Sequence, residues 1–535
     1  MRAIISTKTL RRLATRAAGL CAAMMTVTAH AAAPGITGPT FDLVAAAGFI
    51  SQPDGASIYS WGYGCNTAPT SGAFVPAAIP NPSCPAGQMQ LPGPSLVVTE
   101  GQLVTITLHN NLPAAAGNTS ILFPGFDVHV ASGDPGSPGL LTQEAQHGGT
   151  VTYTFDTTGH PGTHSYYSGT QGDLQVEMGL FGALIVLPSS PPATCDTDPL
   201  RAAVHAAQAT DRGDPAGAPK DFRLAHAAYD HASTCYDREY MFQFSELDPR
   251  IHSQAAEQAG AGCDVPTGCM HIDTEPYHPV YFLINGRSMP DIADPNYAPM
   301  YPLQPYNGNP HLHPGELTLV RIIGQGRLQH PFHEHANHLR VLARDGNLLV
   351  NASNNLAGPL LFTTTTTPGQ TIDAIFEWTG KGLNWDVYGH KDASAKGPAT
   401  TEGCTPDANG YYTSSPAANN FYEWCADHKL ALETKPFGNV GGGGPVTLPD
   451  PNILANGAWY GGSPYFGPEA TARAVGPTPI PPFGTVANSP GDEAGFAYMW
   501  HSHNEREITT NNIFPGGMMM MMLVDPWVFL INESN

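Results

Sequence analysis

Two short segments carry the residues that could do chemistry: His330-Pro-Phe-His-Glu-His-Ala-Asn-His338 and His501-Ser-His-Asn-Glu-Arg-Glu507. In a β-strand, residues two apart project from the same face. His333 and His335 therefore form one pair, and His501 and His503 another. If the two strands are neighbours, four imidazoles converge, a donor set that suits Cu, Zn, Fe or Ni. His330 stands beside them, and Glu334, Glu505 and Glu507 could add carboxylate ligands or orient the rings. The competing reading is a pair of hairpins that carry surface histidines. His338 and His390 fall outside the pattern. The segment Trp385-Asp-Val-Tyr-Gly-His390 could itself pair with the His330 run, and His390 would then compete with His501. The chain shows no Ser/His/Asp ordering, phosphate loop or nucleotide fingerprint; the run Gly441 to Gly444 follows no strand and opens no helix.

These pairs need strands to hold them, and an internal repeat supplies them. Thr99-Glu-Gly-Gln-Leu-Val-Thr-Ile-Thr-Leu108 is matched position for position by His313-Pro-Gly-Glu-Leu-Thr-Leu-Val-Arg-Ile322. Gly148 to Gly159 is matched without a gap by Gly369 to Gly380. All four segments alternate with period two, as half-buried antiparallel strands do. Gly 58 and Pro 51 make up about a fifth of the 535 residues, which favours turns and short strands over long helices. The expected fold is all-β: two β-sandwiches built on one strand order. The first spans residues 36–190 and closes with the apolar run Met178 to Leu187. Residues 191–235 are expected to form a connector with an Ala-rich stretch of helix-compatible composition. The second spans 236–530, interrupted by a Gly-, Pro-, Asn- and Ala-rich insertion at about 391–494. A loop of that length covers a site or is disordered.

Residues 1–31 read as a signal peptide. Arg2, Lys8, Arg11, Arg12 and Arg16 precede the apolar stretch Ala17 to Val27, and Ala29-His-Ala31 is a small-x-small cleavage site. Arg11-Arg12 leaves twin-arginine export open beside the general route. The expected location is outside the cytoplasm, periplasmic or extracellular. Eight cysteines remain after Cys21 leaves with the signal. Their clustering suggests the disulfides Cys65–Cys84, Cys195–Cys235, Cys263–Cys269 and Cys404–Cys425. A zinc cluster is the rival, but no Cys-x2-Cys pair exists. The net charge of -22 makes nucleic acid and anionic membrane surfaces poor partners, and no later apolar run reaches the ~18 residues of a membrane span.

The sequence resembles the multicopper oxidases, laccases and their relatives built from cupredoxin sandwiches. His330-Pro-Phe-His-Glu-His335 is similar to that family's His-Pro-x-His-x-His motif, and His501-Ser-His503 with Gly517-Met518 to its His-Cys-His…Gly-Met motif. Leu108-His-Asn-Asn-Leu-Pro113 and Gly179 to Val186 resemble segments of its first domain. The resemblance implies cupredoxin-like Greek-key sandwiches and bound copper. It also marks departures. Leu122 and Pro124, then Tyr167 and Gly169, stand where the resemblance implies two further His-x-His pairs, with His129 and His164 nearby but off the pattern. Ser502 stands where the blue-copper cysteine belongs, and Glu507 where a histidine belongs. Without a thiolate there is no blue-copper site. Met518 occupies the place of an axial ligand, but Met518 to Met522 also reads as a core strand, because Met fills irregular gaps.

The expected metal ligands are therefore His333, His335, His501, His503 and His330, with His390, Glu507 and Met518 in reserve. The cofactor is copper, one or more ions, short of the full four-copper set. The expected function is an exported copper-dependent oxidoreductase acting on a metal ion or small-molecule reductant. The alternatives are a non-catalytic cupredoxin protein that binds or delivers a metal, and an interaction module that uses no metal.

Overall fold

The computed structural model describes residues 33–197, 202, 223–382, 405–414, 421–426, 462–465, 495–525, 527 and 531, apart from 78, 80, 132–135 and 264–267. The stretch read as a signal peptide and most of the 391–494 segment lie outside these residues.

The chain folds as two β-sandwiches. The repeat seen in the sequence is a repeat of register. In the first sandwich the strand Leu103–Asn110 pairs antiparallel with Thr150–Asp156, placing Leu108 opposite Val151 and Thr105 opposite Thr154. In the second, Thr318–Gly324 pairs with Thr371–Phe376, placing Ile322 opposite Ile372 and Leu319 opposite Ile375. These are the same repeat positions in both copies. Each of the two strands that open these pairs has a parallel neighbour on its other edge: Thr40–Ser51 in the first copy and Arg238–Leu247 in the second. The outer antiparallel partners of those neighbours are Ser57–Cys65 and Tyr281–Ile284.

Alternation then decides which side chains enter each core. Val104, Ile106 and Leu108 turn inward against Val151, Tyr153 and Phe155. Val320 and Ile322 do the same against Ile372, Ala374 and Phe376. The second sheet of the second sandwich runs in the order His311–Leu312, Met519–Val524, Gly495–Ser502, His330–Glu334, Thr363–Thr366. It closes the core with Phe332, Tyr498, Trp500, Met518, Met520 and Met522. The methionine run is thus a core strand whose alternate residues fill the sandwich.

A ten-residue helix interrupts the strands. Pro249–Gln258 begins after Asp248, whose carboxylate accepts from the Arg250 backbone N–H, with proline in the first turn, where its missing N–H costs nothing. It follows the strand Arg238–Leu247 of the second sandwich, yet Ile251 and Ala255 are buried in the core of the first. A second tie is ionic. The Asp373 carboxylate accepts from the Thr163 backbone N–H at 3.0 Å and from the Tyr229 hydroxyl at 2.6 Å, and Arg321 donates to Thr163 Oγ1 at 3.0 Å. All four side chains are buried or nearly so, and a buried charge held this way is costly to unpair.

The disulfides Cys65–Cys84, Cys195–Cys235 and Cys263–Cys269 form as the spacing suggested. Cys425 is also disulfide-bonded. Cys404 lies outside the described residues. No helix among the described residues is long and apolar enough to cross a membrane.

Candidate metal centre

The strand His330–Glu334 lies between Thr363–Thr366 and Gly495–Ser502 and runs antiparallel to both. Its register puts His333 directly opposite His501, with Phe332 opposite Ser502 and Glu334 opposite Trp500. His335 follows the strand end, where the Trp500 indole N–H donates to its carbonyl at 3.0 Å and Ala336 takes a left-handed φ of 87°. These constraints gather four imidazoles. Ring centroids of His333 lie 4.7 Å from His335, 5.7 Å from His501 and 4.9 Å from His503. His335 and His501 are 5.1 Å apart, and His501 and His503 5.4 Å.

The nearest donor atoms are Nε2 of His335 and Nε2 of His501, 3.2 Å apart. Two nitrogens each ~2.0–2.1 Å from one ion can be that far apart, so this pair fits a shared metal. The other ring nitrogen of His501, Nδ1, lies 2.7 Å from the Ser502 carbonyl. A carbonyl only accepts, so Nδ1 carries the proton and Nε2 keeps the lone pair that a metal needs. His333 Nδ1 lies 2.7 Å from Thr363 Oγ1. As the side chains stand, no group of three or more His, Cys, Asp or Glu donors among the described residues is set to hold a metal ion. The donor chemistry fits a transition metal, and a pair of nitrogens is in position; the His333 and His503 rings must turn to join it.

The electrostatics favour neutral rings. Burial pushes the His333 imidazolium down to about 4, and the neighbouring His503 and His501 add to the effect. Burial also lowers His501. Neutral imidazole is the form that binds metal. His503 sits at the open side, with its side chain 45% exposed.

Three of the ligand assignments need correction. His330, three residues before His333, has the opposite parity and faces the interior with Phe332. Both of its ring nitrogens are taken: Nδ1 lies 2.9 Å from Glu507 Oε2 and Nε2 lies 3.0 Å from Glu246 Oε2. Burial alone would lower its pKa, but the two carboxylates outweigh it and raise the imidazolium to about 9. His330 is thus a buried cation between two acids, not a ligand beside the other four. Glu507 is committed to the same cluster, accepting from the Ser502 hydroxyl and from Asn504 Nδ2 at 2.9 Å. Met518 is part of the buried apolar core with Phe332, Met520 and Trp500. Met519, not Met518, lies opposite His501.

His338 is in ring contact with Phe362 at 5.1 Å rather than with the other histidines. His390 lies outside the described residues. The strand beside the His330 run is Gly495–Ser502. Glu246 is the residue that the motifs missed. Its signal is a carboxylate set in the otherwise apolar and neutral strand Met241 to Leu247, where nothing exposed follows.

The first sandwich has the same place without the chemistry. Leu122 and Tyr167 exchange backbone hydrogen bonds, Leu122 N to Tyr167 O at 2.7 Å and the reverse at 3.3 Å. This bridge matches the His333–His501 pair of the second sandwich. Gly169 packs against Leu122, whose Cγ lies 2.8 Å from where a Cβ on Gly169 would be. His129 and His164 do not fill the gap: His129 is exposed, and His164 Nε2 lies 3.0 Å from the His160 carbonyl.

Fold and site together define a protein of paired β-sandwiches with a histidine cluster on one sheet of the second. Residues 81–191 match the family model described as multicopper oxidase. Over these residues the chain is similar to multicopper oxidases, laccases among them. Laccase-24 of Oryza sativa subsp. japonica is 35% identical over 103 residues, covering 18% of this chain and 16% of the relative. Laccase-3 of Botryotinia fuckeliana is 31% identical over 109 residues, covering 20% of this chain and 22% of the relative. The matched stretches thus span about a fifth of the chain and of the laccases' own length. Among solved structures, the multicopper oxidase mgLAC aligns over 91% of this chain and 85% of its own, at 15% identity and a TM-score of 0.43.

Proposed function

We propose that this protein is an exported copper-binding oxidoreductase of the multicopper oxidase family with an altered copper centre, acting on a metal ion or a small reductant. The observation that carries the reading is the convergence of His333, His335, His501 and His503 from two paired strands, with two Nε2 atoms 3.2 Å apart. These four residues would hold the ion; when bound, copper supplies one-electron redox chemistry. The chain's own contribution is to keep the rings neutral by burial, to fix the His501 tautomer through the Ser502 carbonyl, and to leave His503 open to solvent. A net charge of -22 favours the approach of cations such as metal-ion substrates.

A second reading has its own observation. Ser502, Glu507 and His330 form a hydrogen-bonded cluster on the interior face, at the positions where the family resemblance implies a blue-copper site. A protein with the outer histidines alone binds copper without a second redox centre to pass electrons to or from it. It would serve in binding or delivery.

Elemental analysis of protein purified from its own compartment tests the first step, with at least one copper per chain expected. Oxygen uptake with phenols, Mn(II), Fe(II) or Cu(I) then separates the readings. Turnover that disappears in His333→Ala/His503→Ala supports the oxidoreductase. Stoichiometric binding without turnover leaves the delivery protein, and no copper at all overturns both.

A further inference from the structure

The place in the first sandwich that corresponds to the histidine cluster is not filled in. It opens into a cavity of about 620 Å³ between the two sandwiches, in the size range of small-molecule sites. Leu122, Tyr167 and Gly169 line it from the first sandwich, and Gln325, Pro368 and Gly369 from the second. Leu140 and Leu141 also line it, although they are 92% and 64% exposed at the tip of a short hairpin. Two large apolar side chains held in water at the edge of a cavity bury area only when something enters it.

The polar part of the wall includes two acceptors beside hydroxyl and amide groups. Glu144 is buried, and its carboxylate has neutral donors: the Thr170 hydroxyl at 2.9 Å and Asn118 Nδ2 at 3.0 Å. The Asn118 bond fixes that amide, because a carboxylate only accepts and the NH2 must face it. Asn118 Oδ1 is then a second acceptor, buried and without a hydrogen-bond partner. A negative charge and an unmet acceptor in one apolar cavity ask for a ligand that donates and is positively charged.

We propose that this cavity binds a small organic cation, with a mainly apolar body against the leucines and Tyr167 and a terminal ammonium at Glu144 and Asn118. The site is separate from the histidine cluster and does not depend on copper. Leu122, Tyr167 and Gly169, which stand where imidazoles stand in the other sandwich, supply part of its lining.

The test is calorimetric titration of the full chain with 2-phenylethylamine and 4-phenylbutylamine, with 3-phenylpropanoate as the anionic counterpart. Saturable binding of at least one amine at one per chain is expected, with the acid at least roughly tenfold weaker. Glu144→Gln should reduce amine affinity roughly tenfold or more, the scale of one charged hydrogen bond. Leu140→Ser/Leu141→Ser alters only exposed residues, so the fold should persist while amine affinity falls several-fold. His333→Ala/His503→Ala should leave amine binding unchanged. Failure of both amines to bind, equal affinity for amine and acid, or loss of amine binding in the histidine variant overturns the proposal.

Discussion

Two equivalent strand pairs, one in each sandwich, have been put to different uses. His333 faces His501 in the second sandwich, and Leu122 faces Tyr167 in the first. The backbone arrangement recurs, as does the register of the strands in the opposite sheet. The side chains do not. In the second sandwich the pair carries imidazoles whose burial keeps them neutral. In the first it carries an aliphatic chain and a phenol, and a cavity opens beside them. The shared frame thus places residues without choosing their chemistry; two or three side chains decide whether a position gathers imidazoles or borders a cavity.

The largest expected effect is on metal binding. His333→Ala/His503→Ala should abolish copper binding by the chain, read as ions per chain after dialysis, while Leu122→Ala/Tyr167→Ala should leave the count unchanged. Equal losses would show that the first sandwich shares the site.

Next in size is the interior cation. His330→Gln removes the partner of both Glu246 and Glu507 and should cost about 3–5 kcal/mol of stability, the range for breaking a buried ion pair. Copper stoichiometry at the outer face should survive. Loss of the metal without loss of stability would return His330 to the ligand set. The same residue sets an alkaline limit. Its pKa rises from 6.5 to about 9 on folding, so the folded chain holds a proton that the unfolded chain releases above 6.5. The stability it contributes, on the order of 3 kcal/mol, is present below pH 6.5 and is lost as pH rises through 9. Urea titrations of wild type and His330→Gln at pH 6 and pH 9.5 should converge at the higher pH.

His333 works in the opposite direction. Its pKa falls to about 4 on folding, so between pH 6.5 and 4 the unfolded chain binds a proton that the folded chain does not. Stability of the metal-free protein should decline across that window. Copper should be retained at pH 5.5, where free imidazole is mostly protonated. Release with a midpoint at 6.5 or above would mean that His333 is not a ligand. The smallest effect is expected from Ser502→Cys. The new thiol would face Glu507 and His330, which are already paired, so the copper-loaded variant should gain little or none of the intense thiolate colour.

Much of this was legible from sequence because it depends on local rules. Period-two alternation in Thr99–Leu108 and its repeat specified paired sandwiches, and the i, i+2 spacing specified that His333 and His335 share a face. Cysteine spacing anticipated Cys65–Cys84, Cys195–Cys235 and Cys263–Cys269. The helix Pro249–Gln258 was not anticipated, although Asp248-Pro249 is a helix-start signal, because the surrounding sequence reads as strands. His330 was grouped with the histidine pairs because it is adjacent to them in sequence, but it lies on the other face of the strand. Its partners Glu246 and Glu507 come from segments 84 and 177 residues away.

The sequence by itself determined the elements, their inward and outward faces, and the residue types able to bind a metal, since each depends on neighbours within a few positions. Only the tertiary structure decided which histidines meet, that His330 is held between two acids, and that Leu122, Tyr167 and Gly169 border a cavity with Glu144. Those outcomes depend on strand pairing and domain contact over long separations, where the free energy comes from burying groups that no local spacing brings together.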